Sequence, residues 1–207
     1  MGIPVLILGE SGSGKSASLR NFKPDEIGLI NVNGKPLPFK NDLKSINTDN
    51  YAKIEKALQK AEVKTLVIDD SQYLMANEFM RTAKVTGFQK FTDIGLNFWN
   101  LIKAVSALPD DKIVYFLHHI ETTDAGRQKI KTIGKLLDEK ITLEGMFTIV
   151  LKTSVHDGQY RFSTQNNGFD TVKTPIGMFD SEEIDNDLKA VDVAIRKYYK
   201  IGEKDND

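Results

Sequence analysis

The sequence contains no cysteine. That excludes disulfide scaffolds, cysteine-ligated zinc, iron–sulfur clusters and thiol nucleophiles together. It has one tryptophan and three histidines, too few for a histidine-rich metal centre. No stretch approaches the roughly 18 consecutive apolar residues of a membrane span. The opening Met1-Gly2-Ile3-Pro4 has no basic flank and no long apolar run, so no secretory signal is read and the expected location is the cytoplasm. Excess charge is lacking too: 28 basic against 29 acidic residues. The balance is uneven, however. Residues 180–207 carry nine acids and five bases, and the first 179 carry 23 bases and 20 acids. A mildly basic body with an acidic end permits nucleic-acid binding without requiring it.

The 207 residues, 40% hydrophobic and 28% charged, suffice to bury a core without staples. The expected division is a body over 1–179 and an acidic helix and tail over 180–207. Ile3–Leu8 is continuously apolar, as in a strand buried on both faces. Ile27–Val32, Thr65–Ile68, Lys112–Leu117 and Met146–Val155 read as further strands, with a short one at 45–48. A helix is expected after the first strand, reaching about Asn21 before Lys23-Pro24 stops it. Asn50–Ala61 has Ile54, Leu58 and Ala61 on one face. A long helical stretch follows residue 70, where Phe88, Phe91, Ile94, Phe98, Leu101, Ile102, Val105 and Leu108 recur at steps of three and four and form a core-facing stripe. Trp99 falls off that stripe, as a contact residue would. Glu121–Lys131 reads as a polar loop. His156-Asp157-Gly158 is a turn from which Tyr160–Ser163 pairs back. Leu188, Val191, Ile195 and Tyr198 mark a last helix. Strands alternating with helices predict an α/β fold with a mostly parallel sheet and an antiparallel C-terminal hairpin.

Residues 9–16, Gly-Glu-Ser-Gly-Ser-Gly-Lys-Ser, match the phosphate-loop pattern G-x-x-x-x-G-K-S in full. The chemistry needs these residue types. Glycines allow backbone angles that turn successive N–H groups inward, making a nest for phosphate oxygens. The lysine reaches the β- and γ-phosphates and the serine hydroxyl ligates Mg²⁺. The expected ATP site is therefore Gly9, Glu10, Ser11, Gly12, Ser13, Gly14, Lys15, Ser16 and Ala17. Its partner is the apolar strand Thr65–Ile68 ending in Asp69-Asp70, where Asp69 joins Ser16 on the metal side. Asp70 follows at once and is the candidate to position or deprotonate an attacking water; helix capping is its plain alternative. His118 and His119 end a predicted central strand, where one of them can sense the γ-phosphate. Arg127, Lys129, Lys131 and Lys135 follow. They read as a solvated basic loop, as cations completing a neighbour's ATP site, or as contacts to DNA phosphate.

The phosphate loop at 9–16, the Ile68-Asp69-Asp70 acids, the helix after them and the strand ending in His118-His119 resemble a family. It comprises small phage-encoded ATP-binding proteins with a RecA-like core, including single-strand annealing and recombination ATPases. The likeness covers roughly residues 1–155. It implies a three-layer P-loop NTPase fold, ATP-dependent action on single-stranded DNA, and oligomers with nucleotide near a subunit interface, in the host cytoplasm. This sequence departs from it where RecA recombinases carry a catalytic glutamate after the second strand, since Asn31-Val32-Asn33 stands there. The alternative is an ATP-regulated loader, adaptor or switch that binds a protein partner and hydrolyses little. A nucleotide kinase is disfavoured, because Arg20, Arg81, Arg127, Arg161 and Arg196 are scattered and form no lid.

Overall fold

A computed structural model describes residues 1–202. The tail expected at 203–207 lies outside the described residues. Nine strands form one mixed, mostly parallel sheet: β1 (Ile3–Gly9), β2 (Ile27–Asn31), β3 (Ser45–Asn47), β4 (Thr65–Asp69), β5 (Ile113–Thr122), β6 (Gln128–Ile130), β7 (Ile149–His156), β8 (Gln159–Ser163) and β9 (Glu183–Asp185). Four α-helices accompany them: α1 (Tyr51–Lys60), α2 (Gln72–Arg81), α3 (Gln89–Ser106) and α4 (Leu188–Tyr198). The sheet order is β3-β2-β4-β5-β1-β7-β8-β9, with β6 paired to β5. β3, β2, β4, β5, β1 and β7 run parallel. β8 and β9 add antiparallel strands at one end. β5 therefore lies between the strand that leads into the phosphate loop and the strand that ends in Asp69.

Alternation along the strands explains the two cores. Leu6, Leu8, Ile68 and Phe116 face α1, α2 and α3, which bring Ile54, Leu58, Phe98 and Leu101. Val5, Ile7, Val67 and Tyr115 face the other way, against Leu19 and the α4 residues Leu188, Val191 and Ile195. The C-terminal helix expected to be acidic carries one acid and three bases, because the acids of 180–187 precede it; α4 is amphipathic and buries its apolar stripe in the second core. Its inner face is also polar at one point, since buried Asp192 accepts hydrogen bonds from Tyr115 (2.9 Å) and Thr65 (3.0 Å) and pairs with Arg196.

Four expectations need correction. The helix after the phosphate loop is a single 3-10 turn, Ser16–Leu19, because only a few residues separate Lys15 from Pro24 and Phe22 turns inward against the core. The long helical stretch is two helices broken over 82–88, where Gly87 takes a positive φ of 95°. Phe88 consequently precedes α3 and is 89% exposed, whereas Phe98 is fully buried. Phe91 is half-buried and stacks on Phe79, and Trp99 lies half-buried against the first core. Glu121–Lys131 is a hairpin, not a loop: β5 runs to Thr122 and pairs with β6 around a turn at Gly126.

Candidate functional site

In a parallel sheet the crevice for ligands lies outside the carboxyl ends of the strands. Here that edge gathers the ends of β1, β2 and β4, with His119 of β5 in register with Gly9. A pocket of about 290 Å³ opens there, walled by Gly12, Gly14, Lys15, Ser16, Asp69 and Asp70. Ser11, Ala17, Asn31, Lys35, Pro36, Pro38, His119 and Tyr160 complete its lining.

The phosphate loop is braced from below. A Cβ on Gly9 would come within 1.9 Å of Thr153 Oγ1 and 2.4 Å of Ser13 Oγ, so glycine is required by close approach. The Ser13 and Thr153 hydroxyls are hydrogen-bonded to each other across that gap. Gly14 has a φ of 102°, and a Cβ there would also strike the Tyr160 ring at 2.6 Å. Among the described residues, the backbone N–H groups of Gly12, Gly14 and Lys15 donate to no protein acceptor. They are free donors on the wall of a pocket, which is the feature an anion needs. With only a short turn after them, positive potential here comes from this nest and the Lys15 ammonium rather than from a long helix dipole.

Lys15 is nearly buried, and its Nζ donates to the carbonyls of Gly9 (2.8 Å) and Glu10 (2.7 Å). Burial lowers its pKa to about 8, against the opposing pull of Asp70 and Asp69. Ser16 Oγ donates to Asp69 Oδ1 at 2.9 Å. Burial and the adjacent Asp70 charge raise the Asp69 pKa to about 6. Hydroxyl and carboxylate thus meet at the pocket wall. That oxygen donor set fits Mg²⁺, which takes one or two protein ligands and otherwise uses water and substrate phosphate. No cluster of three or more His, Asp or Glu suited to a metal occurs among the described residues.

Asp70 sits in the left-handed region, at φ 58°, a conformation aspartate tolerates. Burial alone would raise its pKa. The groups around it more than reverse this: His119 Nε2 at 3.7 Å, Lys35 Nζ at 2.7 Å and Asn33 Nδ2 at 3.0 Å hold the carboxyl well below the usual range. A carboxylate so stabilised is a weak base and a good positioning group.

Adjacent strand residues point to opposite faces, and this separates the two histidines. His119 lines the pocket and meets Tyr73 edge-on. His118 is fully buried beside Phe98 on the other face. Desolvation lowers its pKa to about 3, so it is neutral: Nε2–H donates to the Lys131 carbonyl and Nδ1 accepts from the Ser71 hydroxyl, both at 2.9 Å. Lys131 N–H in turn donates to the His119 carbonyl. Arg127, Lys129, Lys131 and Lys135 lie outside the pocket. Lys129 pairs with Glu121, and Lys135 lies 3.9 Å from Glu139.

Lys35 and Tyr160 are pocket residues that sequence reasoning missed, as is Asn33, which holds Asp70 from beside the pocket. Lys35 had a signal, because the Asn33-Gly34-Lys35-Pro36 turn directly follows a parallel strand and so lies at the ligand edge. Tyr160 had none; the β7–β8 hairpin brings it over Gly14 from far along the chain.

Compared with known proteins, the chain matches no protein-family profile and no curated protein. No helix among the described residues is long and apolar enough to cross a membrane.

Proposed function

We propose that this chain is an ATP-binding protein of the P-loop NTPase type, with a RecA-like strand arrangement, that couples the nucleotide to single-stranded DNA in phage recombination or replication. The observation that carries the nucleotide reading is the joining, in one pocket, of free loop amides, the Lys15 ammonium and the Ser16–Asp69 pair. Lys15 and the loop amides hold the β- and γ-phosphates. Ser16 and Asp69 would hold Mg²⁺, which would supply neutralisation of phosphate charge there. Asp70 orients water, and His119 faces the terminal phosphate.

The DNA reading is supported by connectivity. The strand bearing His119 continues into the β5–β6 hairpin, whose arm carries Arg127 and Lys129. Ser71, next to Asp70, is bonded to His118, and His118 to Lys131. A change in the pocket therefore reaches the basic hairpin through a short run of hydrogen bonds. Two states of the hairpin need only a few kcal/mol of differential phosphate contact to exchange populations. The test is ATP turnover by the purified protein with and without single-stranded DNA at two salt concentrations. Stimulation that fades with salt supports this reading, since phosphate contacts release counterions.

One observation favours the second reading, an ATP-regulated loader or switch with little hydrolysis. Asp70 is locked by Lys35 and Asn33, and β2 ends in Asn31 without an acid. ATP binding without DNA-stimulated turnover would select it.

A further inference from the structure

Two exposed features lie in different parts of the fold, and each lacks a partner that the other has the chemistry to supply. The first is a groove of about 620 Å³ beside the edge strand β3, roofed by α1. Its floor is apolar: Ile46, Ala57, Val63 and Leu66 line it, and Leu66 and Val63 pack over Gly28. Its rim is basic. Lys53, Lys56 and Lys60 recur along one stripe of α1, and Lys44 stands across from them. All four are exposed, and among the described residues none has a carboxylate within ion-pair range. No aromatic side chain lines the groove, so it offers nothing for a base to stack on, and an apolar side chain fits it better.

The second feature is Ile176, 97% exposed. It is not on a loose loop. Met178 N–H donates to the Pro175 carbonyl at 3.1 Å, Gly177 takes φ 80°, and the Ile176 carbonyl accepts from the Tyr198 hydroxyl at 3.0 Å. Gly at the third position, at positive φ, makes this a tight type II turn, anchored by Met178 in the second core. The chain then runs through Asp180, Glu182 and Glu183, all exposed and without a cation in ion-pair range among the described residues, into β9 at the opposite end of the sheet. A rigid apolar knob followed by three acids complements an apolar groove rimmed by four lysines.

We propose that the Ile176 turn of one copy docks in the β3–α1 groove of a second copy, with Asp180, Glu182 and Glu183 against the lysine rim. The two patches are different and lie at opposite ends of the sheet, so the contact is head-to-tail and repeats from copy to copy. The turn is already ordered, so little conformational freedom is lost on docking. This inference does not rest on the nucleotide reading; none of these residues lines the phosphate pocket.

Sedimentation of the full chain over a wide concentration range at low and high salt tests it. The expected result is a weight-average mass that rises above the 23.2 kDa monomer with concentration and falls with salt. Ile176→Asp alone, and Lys53→Glu with Lys56→Glu, should each hold the chain as a monomer. Mixed together, those two variants retain one intact knob and one intact groove, so they should form a one-to-one dimer and nothing larger. That mixture also shows that both variants fold. A wild type that stays monomeric throughout overturns the proposal, as do assemblies that survive both variants or a mixture that stays monomeric. If instead the wild type is monomeric and the lysine reversal abolishes binding of an oligothymidylate, the groove belongs to nucleic acid and the proposal fails.

Discussion

The Lys35 ammonium lies 2.7 Å from the Asp70 carboxylate, across the mouth of the phosphate pocket. Lys35 is 61% exposed on its side chain, so it can move, whereas Asp70 is fixed by Asn33 and His119 as well. A terminal phosphate entering the pocket competes with Asp70 for that cation. Lys35→Ala should weaken ATP binding about tenfold, the scale of one charge-assisted hydrogen bond. Calorimetric titration decides it; an unchanged affinity would remove Lys35 from the site.

Lys15→Ala should abolish measurable ATP binding, because the substitution removes the one cation inside the loop. In the wild type, Mg-ATP binding needs Lys15 charged and Asp69 ionised. With their pKa values at about 8 and about 6, affinity should be flat between those limits. It should fall above the upper one as Lys15 loses its proton, and below the lower one as Asp69 gains one. A profile that is level from pH 5 to 9 would falsify the assignment of both groups.

Asp69→Asn should stabilise the nucleotide-free protein while abolishing Mg²⁺-dependent binding. The Asp69 pKa is raised in the folded state, so ionisation of this group costs stability. The cost is complete above about pH 6 and vanishes below the unfolded value of 3.8. The gain in the variant should be on the order of 1–3 kcal/mol at pH 8 and should shrink as the pH is lowered. Thermal unfolding of both proteins across that range provides the check.

The two histidines should separate cleanly. His118→Ala removes a buried ring and leaves the Lys131 carbonyl without its side-chain donor, while the Ser71 hydroxyl keeps the Leu117 carbonyl. It should cost about 2–4 kcal/mol in urea unfolding. His119→Ala should change stability by under about 1 kcal/mol and lower ATP turnover or affinity several-fold. The reverse pattern would exchange their roles.

Much of this was legible before the fold. The Gly9–Ser16 pattern is contiguous and depends on residue types at fixed short spacing, so the loop could be located directly, and the structure places it on the wall of a pocket. The same holds for the buried strand Ile3–Leu8 and for Asp69 at the end of another apolar strand. Helix α1 was readable from Ile54, Leu58 and Ala61 on one face; its Asn50 cap, whose side chain accepts from Lys53 N–H, is seen only in the structure. Phe88 was misread because a period reports only on residues that share a helix, and the break at 82–88 put Phe88 outside α3. The hairpin at 120–130 was hidden because its residues are polar and half-exposed, so no alternation marked them.

By itself the sequence determined the α/β alternation, the glycine-rich loop after the first strand and the acidic strand end, because each rests on local spacing. Which of His118 and His119 meets the pocket was decided by sheet register, since β5 lies beside β1 and a shift of one residue would exchange their faces. The Lys35–Asp70 pair, the Tyr160 ring over Gly14 and the separation of the lysine groove from the Ile176 turn were decided by strand order. Strand order joins residues far apart in the chain, and the free energy that fixes it comes from burying both faces of the whole sheet at once.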